Sequence, residues 1–239
     1  MTIQTEKLIL LTNNAGIELD KNAVLKLDLY AERLIETNKQ FNLTAITGPD
    51  EILYKHFLDS LMILRYIIPK SGERWIDVGT GAGIPGFPIL AASPGLQMTF
   101  LDGTKKKLQF IQDTLQAAGM QGKTVHARAE KAGQEKEYRE QYDYVSARAV
   151  AHLRELTEYC LPFLKIGGYF VAMKSKKTEE EIQESQRAIH LLGGKIKQIE
   201  TFQLDNVGER TLIIIEKISH TPPKFPRPSA KIAKQPLKS

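Results

Sequence analysis

The sequence predicts an α/β fold, a mostly parallel seven-stranded sheet with helices on both faces, preceded by a helical extension over residues 1–70. Three observations predict it. Apolar residues recur at helical spacing through the first seventy positions. From Trp75 onward, short apolar runs alternate with helical stretches. A glycine-rich loop follows directly on the first of those runs. At 239 residues and 42% hydrophobic, the chain is long and apolar enough to bury one sizeable core.

In the extension, Val24, Leu27, Ala31 and Leu34 form one helical stripe after Asp20, a side chain suited to capping the helix start. A second helix is expected from Pro49, with Ile52, Leu53, Phe57, Leu61 and Leu64 on one face up to Pro69. The predicted domain spans 71–218. Its strands are Trp75–Val78, Met98–Leu101, Thr124–Ala127, Tyr142–Ala147 and Tyr169–Met173, its clearest helices are Lys105–Ala118 and Ala151–Leu164, and Gly193-Gly194 breaks a further helix around Glu179–Leu192. The runs Lys195–Phe202 and Thr211–Lys217 have no helix between them, which predicts an antiparallel pair at one sheet edge.

Residues 219–239 read as a basic, proline-rich tail. Lys224, Arg227, Lys231, Lys234 and Lys238 lie there without any Asp or Glu, a surplus that matches the whole chain's formal charge of +5. Pro222, Pro223, Pro226, Pro228 and Pro236 argue against helix or central strand, so the tail is expected to be extended, mobile and dispensable for cofactor binding. No apolar run is long enough to span a bilayer and the N-terminus lacks a signal-peptide pattern, so a cytoplasmic protein is expected, with no membrane partner. The single cysteine, Cys160, lies in an apolar helical stretch, excludes an intrachain disulfide and a multi-cysteine metal site, and reads as a small core residue. No metal is expected, and the chain is read as monomeric.

The loop Asp77-Val-Gly79-Thr-Gly81-Ala-Gly83 leads into a helix expected near Pro85 or Gly86. Glycines let the backbone turn tightly and approach a ligand, beyond the carboxyl ends of the strands. Gly81-Ala-Gly83-Ile-Pro-Gly86 also fits the dinucleotide fingerprint, so a nicotinamide-dependent oxidoreductase competes for the same residues. Asp77 tilts the choice. A carboxylate there can meet the ammonium of an amino-acid-bearing nucleoside, S-adenosylmethionine, and would repel a pyrophosphate. Asp102, ending the second strand, can accept from ribose hydroxyls in either case. The plainer alternative makes both aspartates strand-end caps. Arg128-Ala129-Glu130, after the third strand, lies where an adenine is contacted, although Glu130 can instead cap the next helix.

After the fourth strand stands Ser146-Ala-Arg148-Ala-Val, where methyltransferases of exocyclic amines place Asp/Asn-Pro-Pro-aromatic. Cytosine-C5 enzymes need a nucleophilic cysteine, and Cys160 is not placed as one. Arg148, and Lys174 after the fifth strand, are candidates for holding a phosphate or base edge beside the transferred group, with surface residues as the alternative. Lys105-Lys106-Lys107 reads as a solvated helix face. His56 and Asp59 are read as organising the extension against the pocket, with a purely structural hydrogen-bonded pair between extension and sheet as the alternative.

Together Asn38-Lys-Gln-Phe-Asn42-Leu-Thr44, His56-Phe-Leu-Asp59-Ser60-Leu, Asp77 to Gly86, Arg128-Ala-Glu130, Ala147-Arg148-Ala-Val and Thr221-Pro-Pro-Lys-Phe-Pro-Arg227 resemble the bacterial small-subunit ribosomal RNA guanine-N7 methyltransferases of the glucose-inhibited division B type. The resemblance spans nearly the whole chain. It implies a Rossmann-like class I methyltransferase fold, S-adenosylmethionine as cofactor, and 16S rRNA or the small ribosomal subunit as partner, with the RNA expected on Arg148, Lys174, Lys176 and Lys177 at the pocket mouth and on the basic tail, Arg227 included, through phosphate neutralisation. It also implies cofactor contacts at Gly79, Ile84, Ala129, Glu130 and Arg148. Family members commonly carry Phe where this chain has Ile84, which keeps an apolar contact and loses any stacking. Guanine N7 has an in-plane lone pair and no proton, so alignment suffices and no dedicated acid or base is expected. A ribosome-binding module with the fold and no chemistry is the remaining alternative.

Overall fold

The computed structural model describes residues 1–148, 151–175 and 178–237. Helix α1 (Thr5–Asn14) and helix α2 (Lys21–Asn38) open the chain. Asp20 caps α2 by accepting from the Ala23 amide at 2.6 Å, as its side chain predicts. Val24, Leu27, Ala31 and Leu34 are all buried. The helix expected after Pro49 is four successive turns of changing pitch: α3 (Pro49–Glu51), a π-helical stretch (Ile52–Leu58), α4 (Asp59–Leu61) and a 3-10 turn (Met62–Arg65). The wide π pitch re-aims Lys55, His56 and Asp59 relative to a regular helix, a device concentrated at functional sites.

The sheet contains β1 (Arg74–Val78), β2 (Gln97–Asp102), β3 (Lys123–His126), β4 (Tyr142–Arg148), β5 (Leu164–Ser175), β6 (Gly194–Leu204) and β7 (Gly208–Lys217). Its order is β3-β2-β1-β4-β5-β7-β6. The first five pair in parallel, and β7 runs antiparallel between β5 and β6. Between the strands lie α5 (Gly86–Ala92), α6 (Lys105–Ala117), α7 (Ala129–Ala132), α8 (Leu153–Cys160) and α9 (Glu179–Leu191). Side chains alternate across a strand, so β1 sends Trp75 into one core and Ile76 and Val78 into the other. The N-terminal helices share the Trp75 core with α5 and α6 and form no separate core. Tyr30, fully buried, donates to the Ala82 carbonyl at 2.8 Å and so fastens α2 to the glycine loop. No described helix is long and apolar enough to cross a membrane.

The tail overturns one expectation. Residues 219–237 dock against the Ile76 face and carry helix α10 (Ser229–Lys234) between Pro228 and Pro236. Pro228 sits at the N-cap, where a missing amide donor costs nothing, so the prolines bound the helix rather than forbid it. Phe225 and Ile232 are buried. Arg139 donates to the Thr221 and Phe225 carbonyls, each at 2.7 Å. The ammonium of Lys217, at the end of β7, is buried and donates to Leu161 O and Thr221 Oγ1, each at 2.6 Å. Burial pushes its pKa down to about 8. Arg227, expected as a mobile phosphate ligand, is instead forked onto Glu158, a fully buried carboxylate, through Nε at 2.8 Å and Nη2 at 2.6 Å.

Candidate active site

The loop after β1 owes its shape to glycines and to Asp77. Gly79 and Gly81 take φ of 68° and 59°, where a side chain would be strained. Gly86 is closed in differently: a Cβ there would meet the Phe100 ring at 2.7 Å and Asp77 Oδ2 at 3.0 Å. Asp77 is fully buried. Its carboxylate accepts from Thr80 Oγ1 at 2.6 Å, the Gly86 amide at 3.0 Å and Ser146 Oγ at 2.8 Å. The ammonium contact expected of Asp77 is therefore replaced by internal donors, and the residue holds the loop from beneath. Burial still dominates these bonds and pushes its pKa up to about 6. Gly83 and Ile84 also face inward, Ile84 as part of the core beneath the loop.

Beyond the carboxyl ends of β1, β2 and β3 opens a cavity of about 360 Å³ that brings Gly79, Asp102, Ala129 and Glu130 together. Asp102 is fixed by two amides, Gly81 N to Oδ2 at 2.9 Å and Thr104 N to Oδ1 at 2.8 Å. Each carboxylate oxygen keeps acceptor capacity for a ribose hydroxyl. Leu101, Leu156 and Tyr159 add apolar wall, and Ser229 of α10 closes one side. The volume and the mixture of apolar walls with few convergent polar groups suit a nucleoside. Acceptors for a ribose, a glycine turn bare of side chains and an apolar flank fit S-adenosylmethionine. Lys105 and Lys106, exposed at the start of α6, line no cavity wall here.

Arg148 lies in a second cavity, of about 600 Å³, lined also by Lys55, Asp59, Met173, Lys174 and Arg210. Ala151 lines both cavities. Arg148 leaves the end of β4 and donates to the Lys55 carbonyl at 2.7 Å; it also pairs with Asp59 Oδ2 at 3.4 Å. Its Nη2 stands 3.3 Å from His56 Nδ1, so the ring accepts there. The expected His56–Asp59 pair is thus mediated by Arg148 rather than direct. Burial, then the Arg148 charge, pushes the His56 pKa down to about 4, leaving a neutral imidazole. Arg210 Nε reaches Asp59 Oδ1 at 3.3 Å. Burial holds the Asp59 carboxyl above its ordinary value against both guanidiniums. Lys174 donates to the Ala151 carbonyl at 2.7 Å and pairs with Glu181, so it braces the seam between the cavities. Lys176 and Lys177 lie outside the described residues. Cys160 is buried and its thiol is pushed up by burial, in line with a core role.

Sequence reasoning missed Lys55, Arg210 and Glu158. Arg210 had a readable signal. An antiparallel strand begins where its parallel neighbours end, and Arg210 pairs with Ser175 at the carboxyl end of β5.

These titrations oppose one another. The unfolded chain binds a proton on His56 below about 6.5, while the folded chain waits until about 4, so stability falls as pH falls between those values. Asp77 binds its proton near 6 folded and near 3.8 unfolded, so over that window its contribution rises as pH falls. Replacing His56→Asn keeps an acceptor for Arg148 and removes only the first contribution. The variant is expected to gain about 3 kcal/mol on the wild type between pH 7.5 and pH 4.5. Denaturant unfolding at the two pH values measures this, and a pH-independent difference would exclude it.

The strand order, the glycine turn and the acceptor-lined cavity define a class I S-adenosylmethionine-dependent methyltransferase. Solved structures share the fold: TYW2 of M. jannaschii in complex with AdoMet is 16% identical with a TM-score of 0.51, covering 63% of this chain and 72% of that one. A methyltransferase from Pyrococcus furiosus is 16% identical with a TM-score of 0.53, covering 68% and 83%. A family model described as rRNA small subunit methyltransferase G matches residues 23–213. Curated proteins named ribosomal RNA small subunit methyltransferase G are 46% identical in Alkaliphilus metalliredigens, over 93% of this chain and 94% of that one, and 43% in Desulfitobacterium hafniense, over 93% and 92%. The chain belongs to the rRNA small subunit methyltransferase G family.

Proposed function

We propose that the chain transfers a methyl group from S-adenosylmethionine to N7 of one guanine in 16S rRNA, by positioning and without a dedicated general base. The carrying observation is the seam at Ala151, where a cavity suited to the cofactor meets one walled by Arg148, Lys174 and Arg210. Guanine presents two acceptors on one edge, O6 and N7, and a guanidinium donating to O6 leaves the N7 lone pair in line for attack. The bound cofactor supplies an electrophilic methyl on a sulfonium. The protein's part is alignment, which can contribute about 7–11 kcal/mol. The acidic and imidazole groups beside this cavity are committed: Asp59 to Arg148 and Arg210, Glu181 to Lys174, and His56 to Arg148. N7 has no proton to give, so none of them is asked to take one.

Gly79, Asp102, Ala129 and Glu130 are the direct cofactor contacts in this reading, while Asp77, Gly81, Gly83 and Ile84 shape the loop and Arg148 serves the substrate. Replacing Asp102→Ala removes the ribose acceptor and is expected to weaken S-adenosylhomocysteine binding roughly ten- to a hundredfold by titration calorimetry. An unchanged affinity would exclude the ribose contact. The position is tested by incubating the protein with labelled cofactor and unmodified small subunits, then reducing with borohydride and cleaving with aniline. Scission at a single guanine is expected. Label that survives without scission counts against N7, and absence of label against transfer itself.

A further inference from the structure

We propose that the docked C-terminal strap, Phe225 to Ser229, is a wall of the cofactor site, with Ser229 touching the bound nucleoside and the Arg227–Glu158 pair positioning it. Ser229 lines the same cavity as Gly79, Asp102, Ala129 and Glu130. Its side chain is not needed by the fold: the residue is exposed, and among the described residues its hydroxyl has no hydrogen bond partner. The strap also touches both helices that carry the cavity's other walls. Glu158 projects from α8, which supplies Glu155, Leu156 and Tyr159 to the lining, and it receives the Arg227 amide at 2.9 Å as well as the guanidinium. Pro226 packs on Gly133 at the end of α7, which supplies Ala129 and Glu130; a Cβ on that glycine would come within 3.0 Å of the proline ring. Gln134 donates to the Pro226 carbonyl at 3.0 Å.

A segment that joins both flanks of a cavity and adds a side chain to it is thermodynamically linked to what the cavity binds. If docking of the strap raises affinity for the nucleoside, the nucleoside holds the strap down by the same factor. Arg227 acts through α8 and is a positioning residue; Ser229 is the contact. The inference rests on the cofactor assignment and is independent of which base is methylated.

The test uses the full chain and S-adenosylhomocysteine. Amide exchange over residues 225–234, and tryptic cleavage after Lys231 and Lys234, are expected to slow roughly tenfold when the ligand is added, with the β6–β7 turn as an unaffected reference. Equal exchange with and without ligand overturns the proposal. Ser229→Ala is expected to weaken the ligand several-fold while leaving the thermal midpoint of the ligand-free protein in place; an unchanged affinity overturns the contact. Arg227→Gln is expected to weaken binding roughly tenfold in protein that keeps its circular dichroism, with partial recovery in Arg227→Lys. Unchanged affinity in the folded Arg227→Gln chain overturns the positioning role. Should that variant fail to fold, the exchange comparison on the wild type decides.

Discussion

Arg227→Ala is expected to lower the thermal midpoint by about 6–20 °C, and ending the chain before Thr221 to leave little folded protein. Glu158 has no exposed surface, and Arg227 supplies its backbone amide, Nε and Nη2 to the two carboxylate oxygens. Removing one partner of a buried pair strands the other charge, at about 3–5 kcal/mol. For chains of 150–250 residues each kcal/mol moves the midpoint by about 2–4 °C. Truncation adds the loss of Phe225 from the core, about 3–5 kcal/mol on its own, and of Thr221, which accepts from the buried Lys217. The sum approaches the whole stability of a typical domain, about 5–15 kcal/mol. Circular dichroism melts of the two variants measure both effects. A truncated protein as stable as the full chain would show that the docked tail contributes nothing. Removing the partner as well, in Arg227→Ala with Glu158→Gln, should recover part of the loss, because the stranded charge is then gone.

The tail also marks where reading the sequence stopped working. Five prolines and a surplus of cations are local signals, and locally they describe an extended, solvated segment. What overrides them are long-range partners: Glu158, 69 residues from Arg227 in sequence, and Arg139, which holds the Thr221 and Phe225 carbonyls. A buried acid in α8 cannot be told from a surface one until the fold turns it inward. The sheet was legible for the opposite reason. Each strand of the domain carries its own apolar run, and the glycine loop fixes the end of the sheet at which ligands bind. The helical run after Pro49 lay between these cases. Its buried face was readable from Ile52, Leu53, Phe57 and Leu61, but the π-helical stretch that aims Lys55 and His56 toward Arg148 is a change of pitch that no spacing of apolar residues announces. Asp77 stands where the sequence places it, at the foot of the glycine loop, and the donors that meet it there are internal. Thr80 and Gly86 reach it from the loop itself, and Ser146 joins them only once β1 and β4 are paired, where Asp77 stands opposite Ser146.

Arg148→Ala is expected to lower methyl transfer by about 10²-fold or more while changing S-adenosylhomocysteine affinity less than about threefold. The guanidinium joins three elements: the end of β4, the π-helical stretch through the Lys55 carbonyl and His56, and α4 through Asp59. It lines the larger cavity and not the one built around Asp102, so its removal falls on substrate alignment, where a displacement of about 1 Å can cost 10²-fold. Arg148→Lys should restore little, because one ammonium cannot serve the Lys55 carbonyl, Asp59 and a base edge from a planar fork. The reverse pattern, weakened cofactor binding with transfer otherwise intact, would assign Arg148 to the cofactor. The substitution carries an internal control. Arg148 helps to keep His56 neutral and Asp59 charged, so its loss moves both pKa values upward. The acid-side loss of stability from His56 then spans a narrower range of pH, its lower limit rising from about 4 toward the ordinary histidine value near 6.5. Unfolding midpoints across that range separate a repositioned site from one that has merely loosened, since loosening lowers stability at every pH alike.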